Sequence, residues 1–271
     1  MPSPPSAVSL TDLAKWRLER DDVSDPGGRI YRDTQGDIYH SVTRILKETS
    51  DSKAALEAWQ ARLGVELAAQ ERDTAAERGT RTHNAAEYVL RTAKRMAEQT
   101  AKRKGSTYVD KQGLTCTPAP LTRWAIKQVL PSAPKVGLSA SGYRRSLLGW
   151  IGEHVTCIHA IEFSVHHPAG FAGTCDALIN VDGKGPAIVD WKTSFNRRSE
   201  ALLTDYTDQL GAYSLALRHL TGIQAQIAYI VVARRVGPPD IRELSNLELR
   251  GAEVRFLERC AKYYEALSTP A

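Results

Sequence analysis

The run Gly173–Ser194, GTCDALINVDGKGPAIVDWKTS, constrains the fold more than any other part of the chain. In it, two apolar, β-branched segments flank DGKGP. Segments of this kind around a glycine-containing turn read as an antiparallel hairpin. A helix is expected next, at 199–220, where Leu203, Tyr206, Leu210, Tyr213, Leu217 and Leu220 recur at alternating spacings of 3 and 4 and make one buried stripe. Strands are expected at 224–233 and near 241–244, then a final helix to about Leu267. Hairpin strands, a crossover helix and a further strand imply a mixed sheet flanked by helices, an α/β chain of mixed α+β character.

Upstream of the hairpin the chain reads as mostly helical. Residues 1–28 are rich in Pro and Ser and then charged, as in a loose tail with a short helix around Leu13–Leu18. RIYRDTQGDIYH, residues 29–40, alternates around Gly36 and predicts a small hairpin, after which Ser41 is placed to cap a helix. From Ser50 to about Arg95 the composition of Ala, Leu, Glu and Arg predicts two or three helices. Residues 101–145 read as a basic, loop-rich insertion with one short helix near Thr122–Val129, and a helix from about Ser141 to Glu153 leads into a strand at Cys157–Val165. A single domain over 29–271 is expected.

Several classes of protein do not suit this sequence. No apolar run approaches the length of a membrane span, and MPSPPSAVSL has neither the basic opening nor the apolar core of a secretion signal, so a cytoplasmic protein with no membrane partner is expected. Cys116, Cys157, Cys175 and Cys260 are far apart and form no CxxC, which indicates neither a zinc site nor a disulfide framework. The positive charge is concentrated. From Arg78 to Arg145 there are 14 Lys/Arg against three acidic residues, a local balance of +11 in a chain whose total is +5. A block of this extent favours contact with a polyanion, although any part of it can equally be a solvated face.

Charges inside strands are costly to bury without partners. Acid-x-Lys occurs at Asp51–Lys53, Asp182–Lys184 and Asp190–Lys192, and the first two fall at a helix start and a hairpin turn. Asp190 and Lys192 instead follow Ala187-Ile188-Val189 within a strand, where alternation sets both on one face and Trp191 on the other. Asp176 reaches that face if the hairpin loop has an odd number of residues or a bulge, which a three-residue loop with Gly185 left-handed would provide. Two carboxylates meeting near an ammonium suit a hard cation, Mg2+ or Mn2+, and hence phosphodiester hydrolysis. The alternative for the same residues is a solvated hairpin face with an incidental ion pair.

Four short motifs in order sharpen this reading. GTCD (173–176), IVDWKTS (188–194), Gln209-Leu-Gly-Ala-Tyr213 and, upstream, Gly79-Thr-Arg-Thr-His83 together resemble the PD-(D/E)XK nucleases, in particular the RecB-type exonuclease branch. The opening YHSVTRILKETS is similar to the mitochondrial genome maintenance exonucleases and their phage relatives. The resemblance spans about Tyr31 to Leu267 and implies a restriction-endonuclease-like fold. It also implies His83, Asp176, Asp190 and the Trp191 backbone carbonyl as metal ligands, Lys192 as the catalytic lysine, and Gln209 and Tyr213 as substrate contacts or braces. Tyr213 lies on the apolar stripe and fits core packing as well, and His83 on an Ala-rich helix also fits a packed or surface histidine. Glu87 and Glu162 are candidate supports. Arg78, Arg81, Lys102, Arg103 and Lys104 are candidate phosphate contacts, and the 101–145 segment suits a flap over a threaded strand.

Branch members that hold an Fe–S cluster have three cysteines grouped near the C-terminus; this chain has Cys260 alone there, so no cluster is expected. The function implied is a Mg2+- or Mn2+-dependent DNA exonuclease acting on single-stranded ends in recombination, repair or end-processing. A structure-selective or sequence-specific endonuclease of the same fold, and a non-catalytic DNA-binding accessory protein, are the alternatives.

Overall fold

The computed structural model describes residues 18–23, 25, 28–50, 58, 60–195 and 200–268. Apart from Leu18, the helix expected around residues 13–18 lies outside them. Strands β1 (Glu19–Asp21), β2 (Ile30–Arg32) and β3 (Ile38–Ser41) form an antiparallel ribbon. Helix α1 (Val42–Glu48) starts at the expected cap, the Ser41 hydroxyl accepting the Arg44 N–H. Helix α2 (Val65–Lys104) runs 40 residues and ends at Gly105, whose left-handed backbone (φ 59°) closes it. Residues 60–63 are also helical and Gly64 separates them from α2, in line with the two or three helices expected from Ser50, but α2 runs past Arg95 to Lys104. Gly79 does not break α2, because an interior helical glycine costs only about 1 kcal/mol and the Ala85, Ala86, Val89, Leu90, Ala93, Ala97 and Ala101 stripe packs the helix down beyond it.

The loop-rich insertion is also corrected. Strands β4 (Tyr108–Val109) and β5 (Thr115–Cys116) pair as a small hairpin, followed by helices α3 (Ala119–Val129) and α4 (Leu138–His154). Pro118 and Pro120 suggest a loop by composition, but both sit at the first turn of α3, where proline is tolerated. Ala125, Ile126, Val129, Tyr143, Leu147 and Ile151 enter the core, so the segment is part of the packed domain and not a flap.

Strands β6 (Val155–His167), β7 (Phe171–Val181) and β8 (Pro186–Thr193) run antiparallel in succession. Helix α5 (Glu200–Thr221) crosses over to β9 (Ile227–Ala233), parallel to β8; β10 (Asp240–Leu244) and α6 (Asn246–Ser268) complete the fold. The mixed sheet lies between two helical layers. Val189, Trp191, Tyr229 and Val231 face α2, α3 and α4. Ile188, Ala228, Ile230 and Val232 face α1, α5 and α6. No helix among the described residues is long and apolar enough to cross a membrane.

The sheet forks at β7. On one side β7 pairs with β6 along its length; on the other it pairs with β3 at Phe171 and Ala172, then with β8 from Ala177 to Asn180. The fork coincides with a change of face. Phe163 and Cys175 enter one core while Ile161 and Ala177, two residues away on each strand, enter the other. Alternation alone cannot do this, and Glu162 takes the strain with a left-handed backbone, φ 47°. The hairpin loop between the Asn180–Pro186 pair, residues 181–185, is odd in length as expected but has five residues, not three. Its left-handed residues are Asp182 (φ 49°) and Gly183 (φ 74°), not Gly185, and the Lys184 N–H closes the turn on the Val181 carbonyl.

Helix α5 meets α6 closely at Gly211, where an added Cβ would lie 2.5 Å from the Ala252 backbone, whereas at Gly79 it would make ordinary contact with Thr193 Oγ1 at 3.7 Å. Gly211→Ala should therefore destabilise the protein by about 1–3 kcal/mol through overpacking, while Gly79→Ala should be neutral or stabilising by up to about 1 kcal/mol. Urea unfolding midpoints compare the two directly. Equal midpoints would contradict this packing.

Candidate active site

The site is built where β7 and β8 part. Extending the register of Ala177 opposite Val189 brings Asp176 across from Asp190, but the ladder stops one pair short. In place of the missing backbone bond, the Trp191 N–H donates to Asp176 Oδ2 at 2.6 Å. The Asp176 carboxylate is thereby fixed between two strands. Trp191 itself turns its ring into the opposite core, against Trp150.

Asp190 is 3% exposed and points toward α5. Its Oδ2 lies 2.6 Å from Lys192 Nζ but meets no well-aligned donor, and its Oδ1 accepts from Gln209 Nε2 at 3.1 Å. Gln209 also accepts from Lys192 Nζ through Oε1 (3.1 Å) and donates to the Tyr213 hydroxyl (2.9 Å). One amide thus ties carboxylate, ammonium and phenol together. Tyr213 is both core and brace: its ring lies so close over Gly173 that a Cβ there would stand 2.5 Å from Cε1. The first residue of GTCD is a glycine because Tyr213 occupies the space of a side chain.

His83 reaches in from α2, its Nδ1 3.6 Å from Asp176 Oδ1. Glu162, at the strained position of β6, completes a group in which His83, Glu162 and Asp176 each present one donor atom within 4.8 Å of the others. The electrostatics follow from burial and crowding. Burial lifts Glu162 to about 7, helped by the Asp176 charge, and lifts Asp190 to about 6 against the pull of Lys192. Asp176 is also penalised by burial, yet His83 and Lys192 hold it below the usual carboxylate range. His83 and Lys192 are raised because nearby carboxylates outweigh the burial of each.

These donors fit a hard divalent cation: oxygen and one imidazole nitrogen, with the His83, Glu162 and Asp176 donors within 4.8 Å of one another and, in the same cleft, a buried Asp190 oxygen short of an aligned donor. His83, Glu162, Asp176 and Asp190 would hold it.

The remaining candidates separate by position. Glu87 lines the cleft and pairs with Arg91 at 2.6 Å. Arg78 does not line it; its guanidinium stacks on Tyr143, 4.8 Å from the ring centre. Arg81 pairs with Glu77 at 2.5 Å and also lies outside the cleft. Lys102, Arg103 and Lys104 are exposed in the last turn of α2, about 30 Å from His83 along the axis at 1.5 Å per residue. None of these five basic residues is brought to the carboxylates. Arg20 and Arg29 line the cleft instead and share Asp22, at 2.8 and 2.5 Å. The sequence reading missed both; Arg20 lies in the expected loose tail, and only the adjoining hairpin pattern at Ile30 hinted at order there.

The family model of the PD-(D/E)XK nuclease superfamily matches residues 13–268. The human protein "Mitochondrial genome maintenance exonuclease 1" is 24% identical over 260 residues, covering 92% of this chain; the chain spans 65% of that protein's length. Among solved structures, a candidate exonuclease from Eubacterium rectale aligns with 69% of this chain and 68% of its own at 14% identity and a TM-score of 0.32. Scheffersomyces stipitis Rai1 aligns with 69% of this chain and 60% of its own at 10% identity and a TM-score of 0.22.

Gln209→Ala should lower stability by about 1–3 kcal/mol, because it leaves buried partners on Asp190 and Tyr213 unsatisfied. Chemical denaturation of the metal-free protein measures this. An unchanged midpoint would mean that the amide does not bridge the three groups.

Proposed function

The chain belongs to the PD-(D/E)XK nuclease superfamily, and from that premise we propose that it is a Mg2+- or Mn2+-dependent deoxyribonuclease that shortens single-stranded DNA from its ends. The observation that carries this reading is the meeting of Asp176, Asp190, Lys192 and His83 in one cleft. Ends rather than internal sites are favoured by the likeness to the human exonuclease.

The residues divide the work by chemistry. His83, Glu162, Asp176 and Asp190, with the Trp191 carbonyl, would hold the ion, which would supply Lewis-acid polarisation of a phosphoryl oxygen and a lowered water pKa. Lys192 orients the attacking water and offsets negative charge that develops on the phosphoryl oxygens. Gln209 keeps the ammonium aimed, and Tyr213 keeps Gln209 in place. Arg20 and Arg29 at the cleft wall offer charge-assisted contacts to the flanking phosphates. The basic surface of α2, α3 and α4 offers a longer path for the polyanion beyond the cleft.

Labelled linear and closed circular single-stranded DNA, incubated with Mg2+ or Mn2+, test the reading. Loss of the linear strand alone is expected; nicking of the circle would assign an endonuclease, and binding without cleavage an accessory protein. Asp190→Asn should lower cleavage by about a thousandfold or more while DNA binding survives. Lys192→Ala should slow turnover by roughly two to four orders of magnitude at nearly unchanged metal affinity. His83→Ala should weaken metal binding and be partly rescued by Mn2+, which takes imidazole more readily than Mg2+. Full activity in Asp190→Asn would remove this site from consideration.

A further inference from the structure

A second cluster of metal-ligating side chains lies away from the nuclease cleft. Cys116 on β5 meets Cys157 and His159 on β6, and one donor atom from each lies within 4.8 Å of the other two. All three residues are buried, His159 to 5% exposure. A 41-residue separation hides Cys116 from its partners in the sequence. Strand β6 brings Cys157 and His159 to one side at a spacing of two, within a stretch where its pairing with β7 is irregular.

The histidine carries the second, independent observation. Its Nε2 faces the Asn180 side-chain oxygen at 2.9 Å. An amide oxygen only accepts, so Nε2 holds the ring proton and Nδ1 presents a lone pair. Nδ1 is buried with no hydrogen-bond partner among the described residues. Leaving a lone pair unsatisfied inside a protein is costly, and an imidazole fixed through its other nitrogen is the usual posture of a metal ligand. The two sulfurs lie within 4.8 Å of each other.

We infer that Cys116, Cys157 and His159 form a structural zinc site that staples the β4–β5 hairpin to β6. Two thiolates and an imidazole select a borderline-soft ion such as Zn2+, in contrast to the oxygen-rich nuclease cleft. Tetrahedral zinc requires donor separations of about 3.5–3.8 Å, so the cluster needs to contract by about an ångström at most. A water supplies the fourth ligand. On binding, Zn2+ replaces the two S–H protons, which pass to buffer. The cysteine spacing in the sequence carries no sign of this site, because Cys116 meets β6 only in the folded chain.

The test uses the full chain, reduced and stripped of metal, then given Zn2+ or Co2+ and desalted. Elemental analysis should find about one zinc per chain, and the Co2+ form should show thiolate-to-cobalt charge-transfer absorption. Cys116→Ser and Cys157→Ser should lose both signals. Cys260→Ala and Cys175→Ala, which change the two other thiols, should keep them. Asn180→Ala should retain the spectrum but weaken zinc affinity by about tenfold or more, because it frees the imidazole that Asn180 orients. Circular dichroism identifies any variant that fails to fold, and for such a variant the wild-type cobalt spectrum decides. No stoichiometric zinc in the wild type, or charge-transfer bands that persist in Cys157→Ser, would overturn the assignment. So would a native protein lighter by two hydrogens that reduction restores, since that would make the pair a disulfide.

Discussion

Everything at the nuclease cleft depends on one hydrogen bond, from the Trp191 N–H to the Asp176 carboxylate. A sheet satisfies its backbone donors through neighbouring strands, and where β7 and β8 diverge the Trp191 donor would be left unpaired. Asp176 fills that vacancy and is held between the strands by it. The same divergence opens the sheet to α2, so that His83 meets Asp176, and exposes the edge of β8, so that Asp190 and Lys192 meet Gln209. The strain at Glu162 belongs to this arrangement, since its left-handed backbone lets β6 follow β7 through the change of face.

The cleft concentrates charge that the fold does not neutralise alone. Glu87, Glu162, Asp176 and Asp190 line it with His83, Lys192, Arg20 and Arg29, and burial with the Asp176 charge lifts Glu162 to about 7 and Asp190 to about 6. Such a group is stable where the carboxyls share protons or a cation lies among them. Lys192 and Gln209 hold Asp190 in position in either state, which is a form of preorganisation. The buried Cys116, Cys157 and His159 group follows the opposite logic, with soft donors and an imidazole lone pair in an apolar setting.

Local patterns were legible in the sequence where the physics is local. The Ser41 cap, the stripe of α5, the alternation that separates Trp191 from Asp190 and Lys192, and the odd loop that aligns Asp176 all follow from short-range rules. What eluded the sequence depends on contacts between distant segments. The length of α2 is fixed by its small-residue stripe against the sheet, which overrides Gly79, and the prolines before α3 mark a helix start as readily as a loop. Arg78 reads as a phosphate contact until Tyr143, brought from α4, occupies its guanidinium. Glu162 is an unremarkable strand acid until Asp176 is placed across from it, and the pairing of Cys116 with Cys157 has no local signal at all.

Crystals soaked in Mn2+ and measured at the manganese absorption edge test whether the fork between β7 and β8 makes Asp176 and Asp190 joint ligands of one cation. An anomalous peak bonded to both carboxylates beside His83 is expected, with Lys192 still within reach of Asp190. A map with no peak between them, or manganese held by Glu162 and His83 while Asp190 stays paired with Lys192 alone, would contradict joint ligation.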